Sequence, residues 1–200
     1  MDSQETEKVT HQKPGWEKTL LAYLSDFVHM MAVVVVIFIL LFRIIVVNGF
    51  SMFPGLTDGD HLLLVSNLFY PNPKAGDVVV ASKESFQNGT DIVKRVIATE
   101  GQTVDIDFEA GIVYVDGAAL EEPYTNTPTN LEEGQKFPQT VEEGCVFVMG
   151  DNRNNSKDSR SLDIGQIDKR EILGRAFFLF LPSAKPGQDR PDFGRIGVIR

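Results

Sequence analysis

The chain contains few of the residues on which several common chemistries depend. Among its 200 residues there are one cysteine, Cys145, and three histidines, His11, His29 and His61. A single cysteine excludes an intrachain disulfide. We interpret Cys145 as a small buried residue, because free cysteines are among the most buried residue types. His11 lies in a polar leader and His29 in a long apolar run, so a Ser-His-Asp arrangement farther along would have to use His61.

Positive charge is also scarce. The chain has 19 Lys and Arg against 28 Asp and Glu, a net charge of −9, and residues 48–200 alone carry 15 against 23. A nucleic-acid interface requires clustered Lys and Arg to contact phosphates. The chain has no run of basic residues, and we therefore expect no nucleic-acid partner.

No metal site is predicted. Asp and Asn recur after Met149, as they do in calcium-binding loops. If Asp151 is taken as the first position of such a loop, however, the third position is Arg153, and Ser156 occupies the sixth, where the sharp turn requires glycine. No other grouping offers metal ligands, so the sequence predicts neither a metal nor another cofactor.

What the chain does have is an apolar run long enough to cross a membrane. Residues 1–15 are polar and are predicted to be disordered. Apolar residues then recur at helical spacing over 16–27, which is typical of an interfacial lead-in. Residues 30–42 are 13 consecutive apolar residues, and the wider run 27–47 covers 21. A spanning helix needs roughly 20 residues, whereas an average strand has about 5–6.

An uncleaved anchor explains this run better than a secretory signal. The leader is only weakly basic, and no small-residue cleavage site follows the run. Arg43, near the end of the run, can extend its charge to the interface. We therefore predict a polar tail and interfacial lead-in at 1–27, a transmembrane anchor at 28–47, and a folded domain at 48–200.

The remainder of the chain is predicted to be mainly β. It contains short apolar or alternating segments at 61–65, 78–80, 92–97, 103–108, 111–115, 145–149 and 176–181. Asn88-Gly89 and Asp116-Gly117 are turn signals, and the polar segment 121–140, with three prolines, is predicted to be an exposed excursion. No long amphipathic helix and no repeat of fixed period follows residue 48. This pattern favours an antiparallel, barrel-like or sandwich domain behind one N-terminal transmembrane helix.

Two residues stand out as a candidate nucleophile and base. Ser51 lies directly after the apolar run, and a serine nucleophile needs a group that removes its proton. A neutral lysine can serve where histidine is scarce. Lys94 is the best candidate, because both faces of strand 91–97 are largely apolar, and burial lowers the pKa of a lysine. The alternative for Lys94 is an ordinary solvated strand residue.

A third stretch, 150–160, is dense in short polar and charged side chains after an apolar strand. One interpretation is a turn-rich surface loop. The other is a rigid polar support that orients a catalytic base.

Together these stretches resemble those of the type I signal peptidases, membrane-bound serine proteases with a serine–lysine dyad. The resemblance covers roughly residues 28–182. Its matching segments are Ser51-Met52-Phe53-Pro54, Gly76-Asp77-Val78-Val79, Lys94-Arg95-Val96-Ile97 with Gly101, Gly150-Asp151-Asn152-Arg153 through Ser156, Asp158, Ser159 and Arg160, and Ile172-Leu173-Gly174-Arg175-Ala176. A lone Ser-Met-x-Pro is weak, but the ordered set is specific.

The resemblance implies a role for each matching residue. In a β-rich catalytic peptidase domain at 48–200, Ser51 would attack the scissile carbonyl of a signal peptide and form an acyl-enzyme. Lys94 would be the general base and would later activate the deacylating water. Ser156 would hydrogen-bond the lysine amine, and a charged network would support the site. The members of that network would be Asp151, Arg95, Asp158 and Arg160.

The resemblance also implies the oxyanion donor, the partners and the location. The backbone N–H of Ser51 would be one oxyanion donor; Gly49 stands where some members have a donating serine, which leaves the second donor unassigned. Substrates would be secretory preproteins with small residues at −1 and −3. The enzyme would lie in the plasma membrane, in contact with lipid, as a single-pass protein with its catalytic domain on the extracytoplasmic side.

Two alternatives remain open on the sequence. One is a self-cleaving Ser-Lys peptidase of the repressor type, against which the anchor argues, because those proteins are soluble and carry a DNA-binding part. The other is a non-catalytic, membrane-tethered β-domain with Ser51 as a loop residue and Lys94 solvated.

Overall fold

The computed structural model describes residues 15–83 and 90–199. The predictions of a disordered leader up to residue 14 and of a turn at Asn88-Gly89 lie outside the described residues. The described chain divides into two compact units, one up to Ile39 and one from Leu40 onwards.

The first unit is one long helix. Helix α1 spans Trp16–Leu41, 26 residues, and combines the predicted lead-in with most of the predicted anchor. None of its residues, all of which the structure describes, is buried. A helix suits apolar surroundings because it satisfies its backbone hydrogen bonds within itself. The prediction that the anchor extends to residue 47 includes residues that the structure places in a strand; the residues that lie within the bilayer stay a prediction.

The second unit is antiparallel β, which confirms the predicted class. Its strands are β1 Phe42–Val46, β2 His61–Ser66, β3 Val78–Ser82, β4 Asp91–Thr99, β5 Thr103–Asp107, β6 Ile112–Val115, β7 Ala118–Ala119, β8 Gln139–Thr140, β9 Cys145–Met149, β10 Ile167–Asp168, β11 Ile172–Leu181 and β12 Gly197–Val198. All seven predicted strands are present. The sequence does not predict β1, the four two-residue strands or the first half of β11.

The strands form two sheets. The larger has the order β1-β2-β11-β3-β4-β9-β10 with β12 on β11, and the smaller has the order β7-β6-β5-β8. The pairings among the described strands leave the larger sheet open between β1 and β10, so its barrel-like character does not extend to closure. β4 lies inside this sheet. Its pairing with β9 begins only at Arg95, so residues 91–94 have a strand neighbour in β3 and face a cleft elsewhere.

Alternation along β3 divides the core of the larger sheet into two clusters. Val78 and Val80 pack in one cluster with Leu62 and Leu64. Val79 packs in the other, with residues of β9. Both faces of the sheet are therefore covered. The same holds for β4, in which every residue from 92 to 98 is buried, as the apolar character of both its faces predicts.

Candidate active site

Ser51 lies in a loop of residues 48–60, called the nucleophile loop below, whose two ends are tied together. The amide of Val47 donates to the carbonyl of Asp60 at 2.8 Å, and the amide of Gly59 donates to the carbonyl of Val47 at 2.9 Å. Met52, directly after Ser51, is 1% exposed and anchors the loop in the core. Since Met52 is turned inward, the half-buried Ser51 lies at the surface of that core.

Lys94 contacts Ser51 directly, although 43 residues separate them. Its Nζ donates to Ser51 Oγ at 2.8 Å and to the carbonyl oxygen of Val93 at 3.1 Å. Lys94 is 4% exposed and lines the same cleft as Ser51. The structure thus brings together the candidate nucleophile and the candidate base.

Burial also changes the chemistry of Lys94. Desolvation lowers the pKa of its amine to about 8. The negative charges of Asp158, Glu133 and Asp151 act in the opposite direction but do not cancel the effect of burial. Both hydrogen-bond acceptors of Lys94 are uncharged oxygens. A substantial fraction of the amine is therefore neutral near pH 8, as a general base requires.

The segment 150–160 forms a polar frame beside the nucleophile loop. The amide of Asn152 donates to the carbonyl of Ser51 at 2.9 Å, and Asn152 Nδ2 donates to the carbonyl of Phe50 at 3.1 Å. Gly150 permits this approach: a Cβ there would lie 2.5 Å from Ser51 O and 2.2 Å from Ser156 Oγ. The frame therefore holds the backbone of the nucleophile, and residue 150 has to be glycine for it to do so.

Ser156 and Asp158 form the centre of this frame. Ser156 Oγ donates to Asp158 Oδ2 at 2.9 Å, whereas the resemblance implies a hydrogen bond between Ser156 and the lysine amine. Asp158 also accepts from the amide of Gly150 at 2.9 Å and from the guanidinium of Arg160 through Nε at 2.8 Å and Nη2 at 2.9 Å. Ser156 lines the same cleft as Ser51 and Lys94.

Arg95 and Asp151 form a second, separate ion pair. Arg95 Nε and Nη2 donate to the two carboxylate oxygens of Asp151 at 2.8 and 2.7 Å, and Nη1 donates to the carbonyl of Gly76 at 2.8 Å. Both side chains are at most 4% exposed. The charged residues predicted as one network therefore form two bidentate pairs, Arg95–Asp151 and Arg160–Asp158.

Residues of segment 121–140 contact the charged residues of the site, which the sequence does not predict. Arg153, 1% exposed, donates to Glu122 at 2.6 Å and to Thr129 at 3.0 Å. The ring of Tyr124 lies 4.1 Å from the guanidinium carbon of Arg95, and burial raises the pKa of its hydroxyl to about 12. The prediction of an exposed excursion is therefore wrong for these residues. An arginine within the polar motif is a signal that a distant carboxylate pairs with it.

The remaining candidates take other positions. His61, the histidine left for a triad, contacts the carbonyl of Gly59 at 3.0 Å and the ring of Phe180, and it does not line the cleft. The amide of Gly49 donates to Asp58 Oδ1 at 2.7 Å, which occupies it before any oxyanion forms. Within residues 15–83 and 90–199, no group of three or more His, Cys, Asp or Glu is arranged to hold a metal ion.

The cleft beside Ser51 has a volume of about 520 Å³. Its walls are two backbone segments, 45–51 and 90–94, and its third side is Asn155, Ser156 and Lys157. The cleft thus contains both residues of the candidate dyad, and strand residues 45–46 and 91–94 lie in its two backbone walls.

Comparison with known proteins gives consistent relatives. The family described as signal peptidase, peptidase S26, matches residues 20–181. The chain is 41% identical over 147 residues to a probable signal peptidase I-1 of Synechocystis sp., covering 69% of this chain and 70% of that protein. It is 32% identical over 184 residues to a signal peptidase I of Bacillus licheniformis, covering 88% and 94%. A crystal structure of a signal peptidase I from Enterococcus faecalis V583 is 30% identical and covers 52% of this chain and 96% of that one, with a TM-score of 0.42.

Proposed function

This chain belongs to the signal peptidase family, peptidase S26, and we propose that it cleaves signal peptides through a dyad of Ser51 and Lys94 and an acyl-enzyme. The observation that carries the proposal is the 2.8 Å contact between Lys94 Nζ and Ser51 Oγ. At that distance a neutral amine can accept the hydroxyl proton as the oxygen attacks.

The proposed reaction has two halves. Ser51 Oγ attacks the scissile carbonyl carbon while Lys94 takes the proton; the carbon–nitrogen bond then breaks, and Lys94 gives the proton to the leaving amine. The product is an ester between Ser51 and the signal peptide. In the second half Lys94 takes a proton from water, the water oxygen attacks the ester, and Ser51 recovers its proton as the ester breaks.

The surroundings of the dyad support this cycle. Burial places the Lys94 pKa at about 8, close to the pH at which most cells operate, where the amine can both accept and return a proton. The frame at 150–160 fixes the backbone of Ser51. We propose Ser156, Asp158 and Arg160, together with Arg95 and Asp151, as supporting residues that orient the dyad without bonding to the substrate. The amide of Ser51 is proposed as one oxyanion donor.

The walls of the cleft support an extended peptide as substrate. Residues 45–46 of β1 and 91–94 of β4 line this cleft as strand residues, and a peptide can add to such strands as a further strand. Apolar residues of these walls, including Ile45 and Ile92, suit small side chains better than charged ones. We therefore propose secretory preproteins with small residues at −1 and −3 as substrates.

Helix α1 supports a membrane location. Residues 42–50 alone separate its end from Ser51, and its apolar, unburied residues are sufficient in number to cross a bilayer. We propose a single-pass plasma-membrane protein, in contact with lipid, whose catalytic domain lies on the extracytoplasmic side, where secretory preproteins emerge. Protease added to intact spheroplasts should then remove the domain while α1 stays with the membrane.

The experiment that tests the dyad uses the full chain in detergent with a purified secretory precursor. We expect the wild type to release the mature protein, and Ser51→Ala and Lys94→Ala to release none above background. Lys136→Ala, a substitution at an exposed lysine, is the matched control and should process normally. Processing that persists in Ser51→Ala or Lys94→Ala would contradict the proposed Ser51–Lys94 dyad. A folded wild type that binds the precursor without cleaving it would favour the tethered, non-catalytic β-domain.

A further inference from the structure

The C-terminal segment, residues 195–199, contacts the nucleophile loop and the core beneath it. Strand β12, Gly197–Val198, pairs with β11, and the amide of Ile199 donates to the carbonyl of Phe177 at 2.9 Å. Ile199 also packs against the core cluster that contains Met52 and Leu56. These contacts fix the segment beside the loop. The segment follows the residues that the family matches, which end at 181.

Arg195, just before β12, bonds to the loop at two places. Its Nη1 donates to Asp60 Oδ1 at 3.1 Å, and Nη2 donates to Asp60 Oδ2 and, at 3.0 Å, to the carbonyl of Gly55. The side chain of Arg195 is 9% exposed and that of Asp60 is fully buried. A guanidinium can hold a carboxylate with two bonds and still reach a carbonyl, because its donors form a rigid planar fork.

Asp60 connects Arg195 to other parts of the loop through further hydrogen bonds. Its Oδ2 accepts from the amide of Thr57 at 2.8 Å, and its carbonyl accepts from the amide of Val47 at the end of β1. Gly55, the other contact of Arg195, lies in the turn that begins at Ser51 and closes with a 2.9 Å bond from the amide of Leu56 to the carbonyl of Met52. Arg195 thus bonds to the turn and to the end of the same loop.

A cavity makes these bonds important. A space of about 190 Å³ lies behind the loop, lined on one side by Gly55 and Leu56 and elsewhere by Arg95, Arg195 and Val198. Filled cores hold their neighbours by close contact, whereas a void provides no contact on that side. Leu56 packs in the core cluster, but Gly55 has no side chain to pack, so the hydrogen bonds from Arg195 add a restraint at this side of the loop.

We propose that Arg195 is a positioning residue for Ser51. It does not touch the reacting atoms; it holds Gly55 and Asp60 so that Ser51 Oγ stays within reach of Lys94 Nζ. A displacement of about 1 Å in a reacting group can lower a rate by about 10²-fold. The inference rests on the proposed function, because it concerns the rate at which the dyad reacts.

The test uses full-length wild type, Arg195→Lys and Arg195→Ala in detergent with the secretory precursor. Lysine keeps a positive charge beside Asp60 but cannot bond to Asp60 twice and to Gly55 O at once. We expect kcat to fall about tenfold in Arg195→Lys, and by more in Arg195→Ala, with KM changed less than twofold. Arg190→Lys, at an exposed position before this segment, is the matched control and should leave both constants unchanged.

Hydrogen exchange supplies a readout that does not depend on activity. In Arg195→Lys the amides of Leu56 and Thr57 should exchange faster, while amides of the β5–β6 hairpin, such as Val113, should not change. Wild-type kcat in Arg195→Lys, a loss confined to KM, or exchange that rises equally in both regions would overturn the proposal, and so would outright unfolding of both variants. A wild type that does not process the precursor would overturn the proposed function instead, and the exchange experiment would still decide whether Arg195 restrains the loop.

Discussion

Lys94 and Arg95 are adjacent cations on β4 with opposite surroundings. Both are nearly buried, at 4% and 3% exposure. Arg95 is held by two bonds to the Asp151 carboxylate, by the carbonyl of Gly76 and by the ring of Tyr124. Among the residues that the structure describes, Lys94 donates to a hydroxyl and a carbonyl oxygen.

The difference shows how one strand can hold a structural cation and a candidate base side by side. Burial penalises a charge, and a bonded carboxylate offsets the penalty. Arg95 has that carboxylate, and a guanidinium remains protonated in proteins. No described carboxylate bonds to Lys94, and burial lowers the pKa of its amine to about 8. The alternation of the strand assigns the two side chains to opposite faces and hence to different neighbours.

The largest effect should come from making Lys94 resemble its neighbour. In Lys94→Arg the side chain stays charged at every pH at which the protein is folded, so it cannot accept the Ser51 proton. We expect kcat/KM for precursor cleavage to fall by about 10³-fold or more. Lys136→Arg, at an exposed position, should have no effect. A Lys94→Arg variant with substantial activity would contradict the assignment of Lys94 as the base.

The second prediction removes the Asp151 carboxylate that pairs with Arg95, which makes the surroundings of Arg95 more like those of Lys94. Asp151→Asn leaves a buried guanidinium without its counter-charge, and breaking such a pair costs about 3–5 kcal/mol. Denaturant unfolding of the full chain in detergent should show this loss of stability. Asp168→Asn is the control, since its partner Arg170 is 90% exposed, and it should scarcely change the unfolding midpoint. Equal effects of the two substitutions would count against a stabilising role for the buried pair.

The third prediction concerns the pH dependence of the wild type. As the proposed base, Lys94 would act when neutral, and its pKa is about 8, so the rate should be constant above that pH and fall below it. Each pH unit below the pKa lowers the neutral fraction about tenfold, and kcat/KM should fall in proportion. A rate that is flat from pH 5 to 9 is incompatible with a lysine base.

The smallest effect should come from a charge near Lys94 that does not touch it. Glu133, half-buried, raises the pKa of Lys94 through its negative charge. Glu133→Gln removes that charge, so the Lys94 pKa should fall and the acid limb of the rate profile should move to lower pH. Glu132→Gln, at the exposed neighbouring position, should leave the limb in place. A shift of the acid limb toward higher pH would contradict the prediction that the charge of Glu133 raises the pKa of Lys94.

Local patterns predict most of the secondary structure. The seven predicted strands are present, as their short length, their alternation or β-branched composition and the flanking turn signals indicate. β1 is not predicted, since its residues continue the apolar composition of the helix. Its residues are extended because they pair with β2, from Phe42 with Val65 to Val46 with His61, and that pairing is not visible in either segment alone.

The site divides in a similar way. Ser51, Lys94 and segment 150–160 are identifiable from their motifs and from the scarcity of histidine. The bonds of Arg153 to Glu122, and of Arg195 to Asp60, join residues 31 and 135 positions apart. The polar composition of segment 121–140 predicts solvent exposure. Thr129 is nevertheless 1% exposed, and Arg153 donates a hydrogen bond to its hydroxyl.

The sequence by itself determined an apolar helix, a β-rich domain and the two candidate reactive residues, because hydrophobic periodicity and residue chemistry are local properties. The tertiary structure decided the rest. It placed Lys94 Nζ 2.8 Å from Ser51 Oγ, and it buried that amine so that desolvation outweighs the charges of the nearby carboxylates in setting its pKa. The distance and the pKa both depend on which distant segments pack around β4, and a local pattern does not contain that information.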